Sequence, residues 1–134
     1  MNQVLPKNYL DWLSSIDVED SLLYGERDWY LMSEAELSEN ITIDGIISPA
    51  YAQLISLVTT QFEVTGQENI ISNTGELFTI ERIRKCVAIG ESNGTPLFVD
   101  VSKNNSLWCY YSDGGEIEKV SDSLDYFIEK AIVE

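Results

Sequence analysis

The stretch Lys85–Asp113, KCVAIGESNGTPLFVDVSKNNSLWCYYSD, holds three short apolar runs. Cys86-Val87-Ala88-Ile89, Leu97-Phe98-Val99 and Leu107-Trp108-Cys109-Tyr110-Tyr111 are rich in β-branched and aromatic residues, which suit a pleated, half-buried surface. Asn93-Gly94 separates the first two, and Lys103-Asn104-Asn105-Ser106 the last two. Asn-Gly accepts φ > 0 at both central turn positions, which makes it a hairpin signal. Pro96 has no N–H to give to a ladder and belongs at the start of its strand. The stretch predicts an antiparallel meander whose side chains form the floor of the core.

Outward from the meander, Asp113-Gly114-Gly115 reads as a tight turn and Glu116 to Val120 as a last alternating strand. A helix closes the sequence, capped by Ser121 or Asp122. Its stripe Leu124, Phe127, Ile128, Ala131 and Ile132 falls at i, i+3, i+4, i+7 and i+8, and should pack on the meander. On the N-terminal side, Leu5-Pro6 opens a helix with Leu5, Tyr9, Leu13 and Ile16 on one face and Trp12 beside them. Ser21 to Gly25 is a short strand or turn, and Asp28 to Met32 a strand. Ser33-Glu34-Ala35-Glu36 has the spacing of a capping box and starts a short helix running to about Asn40. Residues 41–47 carry no clear period. Ser48-Pro49 is expected to begin a helix striped by Tyr51, Leu54, Ile55, Val58 and Phe62, with Gly66 as its stop. Asn73-Thr74-Gly75 is a turn, and one helical turn from about Thr79 to Lys85 carries the basic cluster Arg82, Arg84 and Lys85. The expected fold class is α+β: a mainly antiparallel, twisted sheet, central meander about 86–120, flanked by N-terminal, middle and C-terminal helices. One domain, 1–134, is expected, since a chain of this length buries about 68–70% of its unfolded surface.

Acidity is the unusual bulk property. Eight basic residues face 23 acidic ones, a net charge of −15, and no Lys or Arg lies between Arg27 and Arg82. Such a surface repels nucleic acid and anionic lipid and attracts basic partners; the same charge also keeps a protein soluble. The N-terminal residues have no basic, long apolar leader, and no segment has the 18 or so apolar residues of a membrane span, so a cytoplasmic location is expected. Cys86 and Cys109 read either as a redox pair or as buried reduced thiols.

Catalytic signatures are sparse. The chain has no histidine, which removes Ser-His-Asp and Cys-His arrangements and the commonest zinc ligand. Two cysteines cannot make a Cys₄ site, and the eight glycines form neither a Walker loop nor a GxGxxG fingerprint. Asp100-Val101-Ser102-Lys103-Asn104-Asn105 superficially suggests a calcium loop, but it lacks the glycine and terminal glutamate of an EF-hand. It reads as a hairpin turn. A carboxylate pair of glycosidase type needs a defined separation across a cleft, which spacing in sequence does not define. No catalytic residue, metal ligand or cofactor site is assigned.

The order of features resembles the SMI1/KNR4 family, also called the SUKH superfamily. Leu5-Pro6-Lys7-Asn8-Tyr9 is similar to its opening helix, and Trp29 to Leu37 to its strand leading into a Ser/Glu-headed helix. Ile89-Gly90, Gly94 and Leu97-Phe98-Val99-Asp100 are similar to its Ile-Gly element, glycine and Asp-ended strand. Val120 to Ile128 resembles its Ser-Phe-x-x-Phe helix, with Leu124 in place of the first phenylalanine. The resemblance implies a non-enzymatic α+β domain. It further implies a bacterial immunity protein that binds and neutralises a toxin domain of a polymorphic or contact-dependent system. With the charge, it makes that toxin a basic one such as a nuclease. The contacts expected are the carboxylates least needed for folding, in polar runs around the first turn: Asp17, Glu19, Asp20, Glu26 and Asp28. No cofactor, nucleic acid or membrane is expected as partner, and the protein should be a monomer or weak homodimer. The alternative is a regulatory or scaffold module of the same type with no toxin partner.

Overall fold

The computed structural model describes residues 5–43, 45–49, 55, 58–60, 62–64, 66, 68–111 and 114–133, and of residues 43, 46, 48 and 133 the backbone alone. Its centre is a curled antiparallel sheet whose six main strands make half a barrel. In chain order these are β1 (Leu22–Tyr24), β2 (Arg27–Leu31), β7 (Val87–Ser92), β8 (Thr95–Asp100), β9 (Ser106–Tyr111) and β10 (Glu116–Ser121). They lie in the order β10-β9-β8-β7-β2-β1, and the two-residue β11 (Ile132–Val133) pairs outside β1. Two hairpins form separate two-stranded sheets: β3 (Asn40–Ile43) with β4 (Ile46–Pro49), and β5 (Asn69–Ile71) with β6 (Leu77–Thr79). The helices are α1 (Lys7–Ser15), α2 (Glu34–Ser38), α3 (Ile80–Arg84) and α4 (Leu124–Lys130), and residues 55, 58–60 and 62–64 are also helical.

The meander forms as its turn residues dictate. Asn93 and Gly94 both take positive φ, 50° and 82°, and so do Asn104 and Asn105 in the next connection. Pro96 is the second residue of β8, opposite Glu91. The β8–β9 ladder begins one residue later, at Leu97↔Cys109, so the missing N–H is not needed there.

Both faces of the meander are covered, and strand alternation sorts the core into two layers. Val87, Ile89, Leu97, Val99, Leu107 and Cys109 point to one face with Leu22, Trp29 and Leu31. Leu5, Tyr9, Leu10 and Leu13 of the first helical segment, Leu37 of α2, and Leu124 and Phe127 of α4 cover that face. Ala88, Phe98, Trp108, Tyr110 and Ile117 point to the other, under Ile55, Val58, Phe62, Ile70, Phe78 and Ile83. The two thiols are therefore separated by the sheet: Cys109 lies in the first layer, Cys86 in the second, and both are free and buried.

Local signals explain the rest. Ser33 accepts from the Glu36 N–H at 3.1 Å while the Glu36 carboxylate accepts from the Ser33 N–H at 3.1 Å, a complete capping box. Gly90 sits where β7 meets β2, and a Cβ there would run into the backbone carbonyl of Tyr30. This close approach requires glycine.

Three expectations change. Ser48 and Pro49 do not start a helix; they belong to β4, paired with Ile41 and Asn40. The ambiguous residues before them supply the partner strand, so hairpin pairing overrides the Ser-Pro start signal. Of the expected middle stripe, Ile55, Val58 and Phe62 are buried as anticipated, whereas Tyr51 and Leu54 lie outside the described residues, as does Asp113. The last helix is capped by Ser123, whose hydroxyl accepts from the Tyr126 N–H at 3.1 Å, and not by Ser121 or Asp122. It stops at Lys130, and Ile132 leaves the stripe to pair with Leu23 as an edge strand.

Candidate functional site

The five carboxylates expected to meet a partner are all exposed, and none of them is in an ion pair among the described residues. They do not form a single cluster. Asp17, Glu19 and Asp20 lie in the loop between α1 and β1. The Asp17 carboxylate accepts from the Glu19 N–H at 3.0 Å and its carbonyl from the Asp20 N–H at 3.2 Å, so this residue also shapes its own turn. Glu26 is at the opposite end of β1, in the turn to β2, and Asp28 stands between the two groups on β2.

Glu26 has a feature the sequence did not advertise. Four described residues other than glycine have positive φ; three are asparagines and the fourth is Glu26, at 66° beside Gly25 at 60°. Asparagine tolerates that region because its side chain bonds locally, whereas for glutamate it is unfavourable. A carboxylate thus occupies the hairpin tip against the backbone preference.

The strand that follows is braced from the inside. Arg27 reaches across the face covered by α1, α2 and α4 to donate to the Tyr111 hydroxyl, and its guanidinium lies 5.0 Å from the Tyr111 ring centre and 5.5 Å from that of Trp29. With Arg27, Trp29 and Leu31 turned inward, Asp28 and Tyr30 must turn outward. Tyr30 is 48% exposed. Register sets Asp28 beside Leu23, Leu23 beside Ile132, and Tyr30 beside Glu91. Ile132 is 60% exposed and Leu23 half-buried. An apolar row with acidic neighbours therefore runs over the outer face of β11, β1 and β2. Alternation in Asp28-Trp29-Tyr30-Leu31 carried the signal for Tyr30, but Ile132 was hidden by its helical spacing.

Elsewhere the charged groups hold the fold together. Asp100, fully buried, accepts from Arg82 Nε at 2.7 Å, from the Ser102 N–H at 3.1 Å and from the Ser102 hydroxyl at 2.6 Å. The calcium-like run is thus a turn anchored on its one aspartate, Asp100. Arg82 also donates to Glu76 at 3.1 Å and to the Leu77 carbonyl at 3.0 Å, with its guanidinium 3.9 Å from the Phe78 ring centre. Burial lowers its pKa, but the bonds to Asp100 and Glu76 outweigh this and hold it above the ordinary value. An open groove of about 500 Å³ beside this network is lined by Glu76, Ser102, Lys103, Asn104, Ser106, Lys119 and Asp122. Its two acids are tied up, Glu76 by Arg82 and Asp122 by Lys119 at 2.7 Å.

Burial also raises the thiol pKa values, Cys109 up to about 11, so neither cysteine is a thiolate near neutrality. Among the described residues no three His, Cys, Asp or Glu side chains are grouped to hold a metal ion, and no helix is long and apolar enough to cross a membrane. Comparison of the chain with protein-family models, with curated proteins and with solved structures gave no match.

Proposed function

We propose that this is a non-enzymatic, cytoplasmic protein-binding module of SMI1/KNR4 type, acting as a bacterial immunity protein for a basic toxin domain such as a nuclease. The observation that carries the reading is the excess of exposed carboxylates that stand outside any ion pair among the described residues. Asp100, Glu76, Glu63, Asp11 and Asp122 are spent on ion pairs within the molecule. Asp17, Glu19, Asp20, Glu26 and Asp28, like Glu91, are exposed and in no ion pair among the described residues, and Glu26 is kept at a backbone position that disfavours it. Unpaired surface acids lower stability by mutual repulsion, and they are useful where a cation is to be met. Opposed charge of this kind steers association toward about 10⁸–10⁹ M⁻¹s⁻¹ at low salt.

The experiment is co-expression with the product of an adjacent toxin-like reading frame. Restored growth and a purified complex support the reading. Unrelieved toxicity with both proteins soluble and folded rejects it.

A further inference from the structure

The layer that buries Phe98, Trp108 and Tyr110 covers only part of the outer face of the sheet. Over β2, β1 and β11 the same face stays open, as the exposure of Tyr30 and Ile132 shows. Ile132, Leu23 and Asp28 stand side by side across three strands there, with Tyr30 and Glu91 paired one step further along. Neighbouring strands are about 4.8 Å apart and same-face residues about 7 Å apart along a strand, so the row is about as wide as one extended chain.

We propose that this open face receives an extended, amphipathic, cationic segment of the partner. Its apolar side chains cover Leu23, Tyr30 and Ile132, and its Lys or Arg side chains meet Asp28 and Glu91. The inference rests on the reading above, that the partner is basic, and adds the place and the anchors. Asp28 and Glu91 are both exposed and in no ion pair among the described residues, which leaves their charge for an incoming cation. A tyrosine among aliphatic groups with a polar rim has the composition of an interface hot spot. A second copy fits poorly: a two-fold contact through this face would set the same uncompensated acids of two chains of charge −15 against one another. Pairing between copies at the far edge is also obstructed. Asn73 occupies β10, donating its N–H to the Ile117 carbonyl at 3.1 Å and accepting from the Lys119 N–H at 2.9 Å.

The test titrates the full chain with two synthetic peptides of equal length and charge, one alternating Lys and Val, the other Lys and Ser, and follows backbone amide shifts. The Lys-Val peptide should bind at least about tenfold more tightly, with shifts centred on Leu23, Tyr30 and Ile132. The double variant Tyr30→Ser/Ile132→Ser should lose that advantage while keeping the wild-type circular dichroism. Equal affinity for the two peptides, shifts centred elsewhere, or a concentration-dependent dimer abolished by Tyr30→Ser would each overturn the proposal. The toxin itself separates the two readings. If changing Asp17, Glu19, Asp20, Glu26 and Asp28 to Lys abolishes its binding and the double serine variant does not weaken it, this inference falls and the proposed function stands. If neither variant weakens it, both fall.

Discussion

Arg82 and Asp100, eighteen positions apart, are joined by a 2.7 Å Nε–Oδ2 bond beneath the β8–β9 turn, with Asp100 wholly shielded from water. The pair ties α3 to the end of β8, and a guanidinium lying over Phe78 links it to the second core layer. Replacing Arg82 with Met would leave the buried carboxylate with the Ser102 donors alone. Breaking a buried pair on one side costs about 3–5 kcal/mol. Urea unfolding of Arg82→Met should show that loss, and a change below about 1 kcal/mol would mean the pair contributes little.

Phe127 is fully buried, 4.8 Å from the Tyr24 ring centre and edge-on to Trp12 at 6.2 Å. Phe127→Ala should cost about 3–5 kcal/mol. A thermal melt unchanged by the substitution would detach α4 from the core.

Tyr9 gives the opposite expectation. Its ring fills the first layer with no solvent exposure, yet its hydroxyl has no hydrogen-bond partner among the described residues, and burial raises its pKa. A buried hydroxyl without a partner carries an uncompensated desolvation cost. Tyr9→Phe should therefore be neutral or stabilise by about 1 kcal/mol in urea unfolding. A clear loss of stability would show that the hydroxyl is satisfied by a bound group.

Alkaline pH should weaken the fold through the buried thiols and tyrosines, whose pKa values burial raises. Burial moves Cys109 from 9.0 to about 11 and raises Cys86 as well. Between pH 9 and 11 the folded state keeps protons that the unfolded chain has released, so stability is intact below this window and falls as pH rises through it. The urea midpoint should decline over that range, with Cys109→Ala declining less steeply. A flat profile would contradict the assigned burial.

The meander was legible because its signals are local and agree with one another. Asn93-Gly94, Asn104-Asn105, the placement of Pro96 and the β-branched and aromatic runs between them all demand the same geometry. The two-layer core was less so, because runs such as Phe98-Val99 and Leu107-Trp108-Cys109 are apolar on both faces and do not say what covers each. Ser48-Pro49 misled: its local preference was overridden by pairing with Asn40 and Ile41, a contact sequence spacing does not show. The exposure of Asp17, Glu19, Asp20, Glu26 and Asp28 followed from their polar surroundings, but their division between the two ends of β1 depended on the hairpin. Ile132 was misplaced in the helical stripe, since a helix and an edge strand can present the same apolar residue, and the pairing with Leu23 decides it.

The most direct test is a titration of the proposed toxin partner with the wild-type chain and with Asp17→Lys/Glu19→Lys/Asp20→Lys/Glu26→Lys/Asp28→Lys, each at low and high salt. Wild-type affinity should fall steeply as salt rises, and reversal should remove both the tight binding and its salt dependence. Wild-type binding of equal strength at both salts, or tight binding that survives all five reversals in a folded protein, would contradict the account.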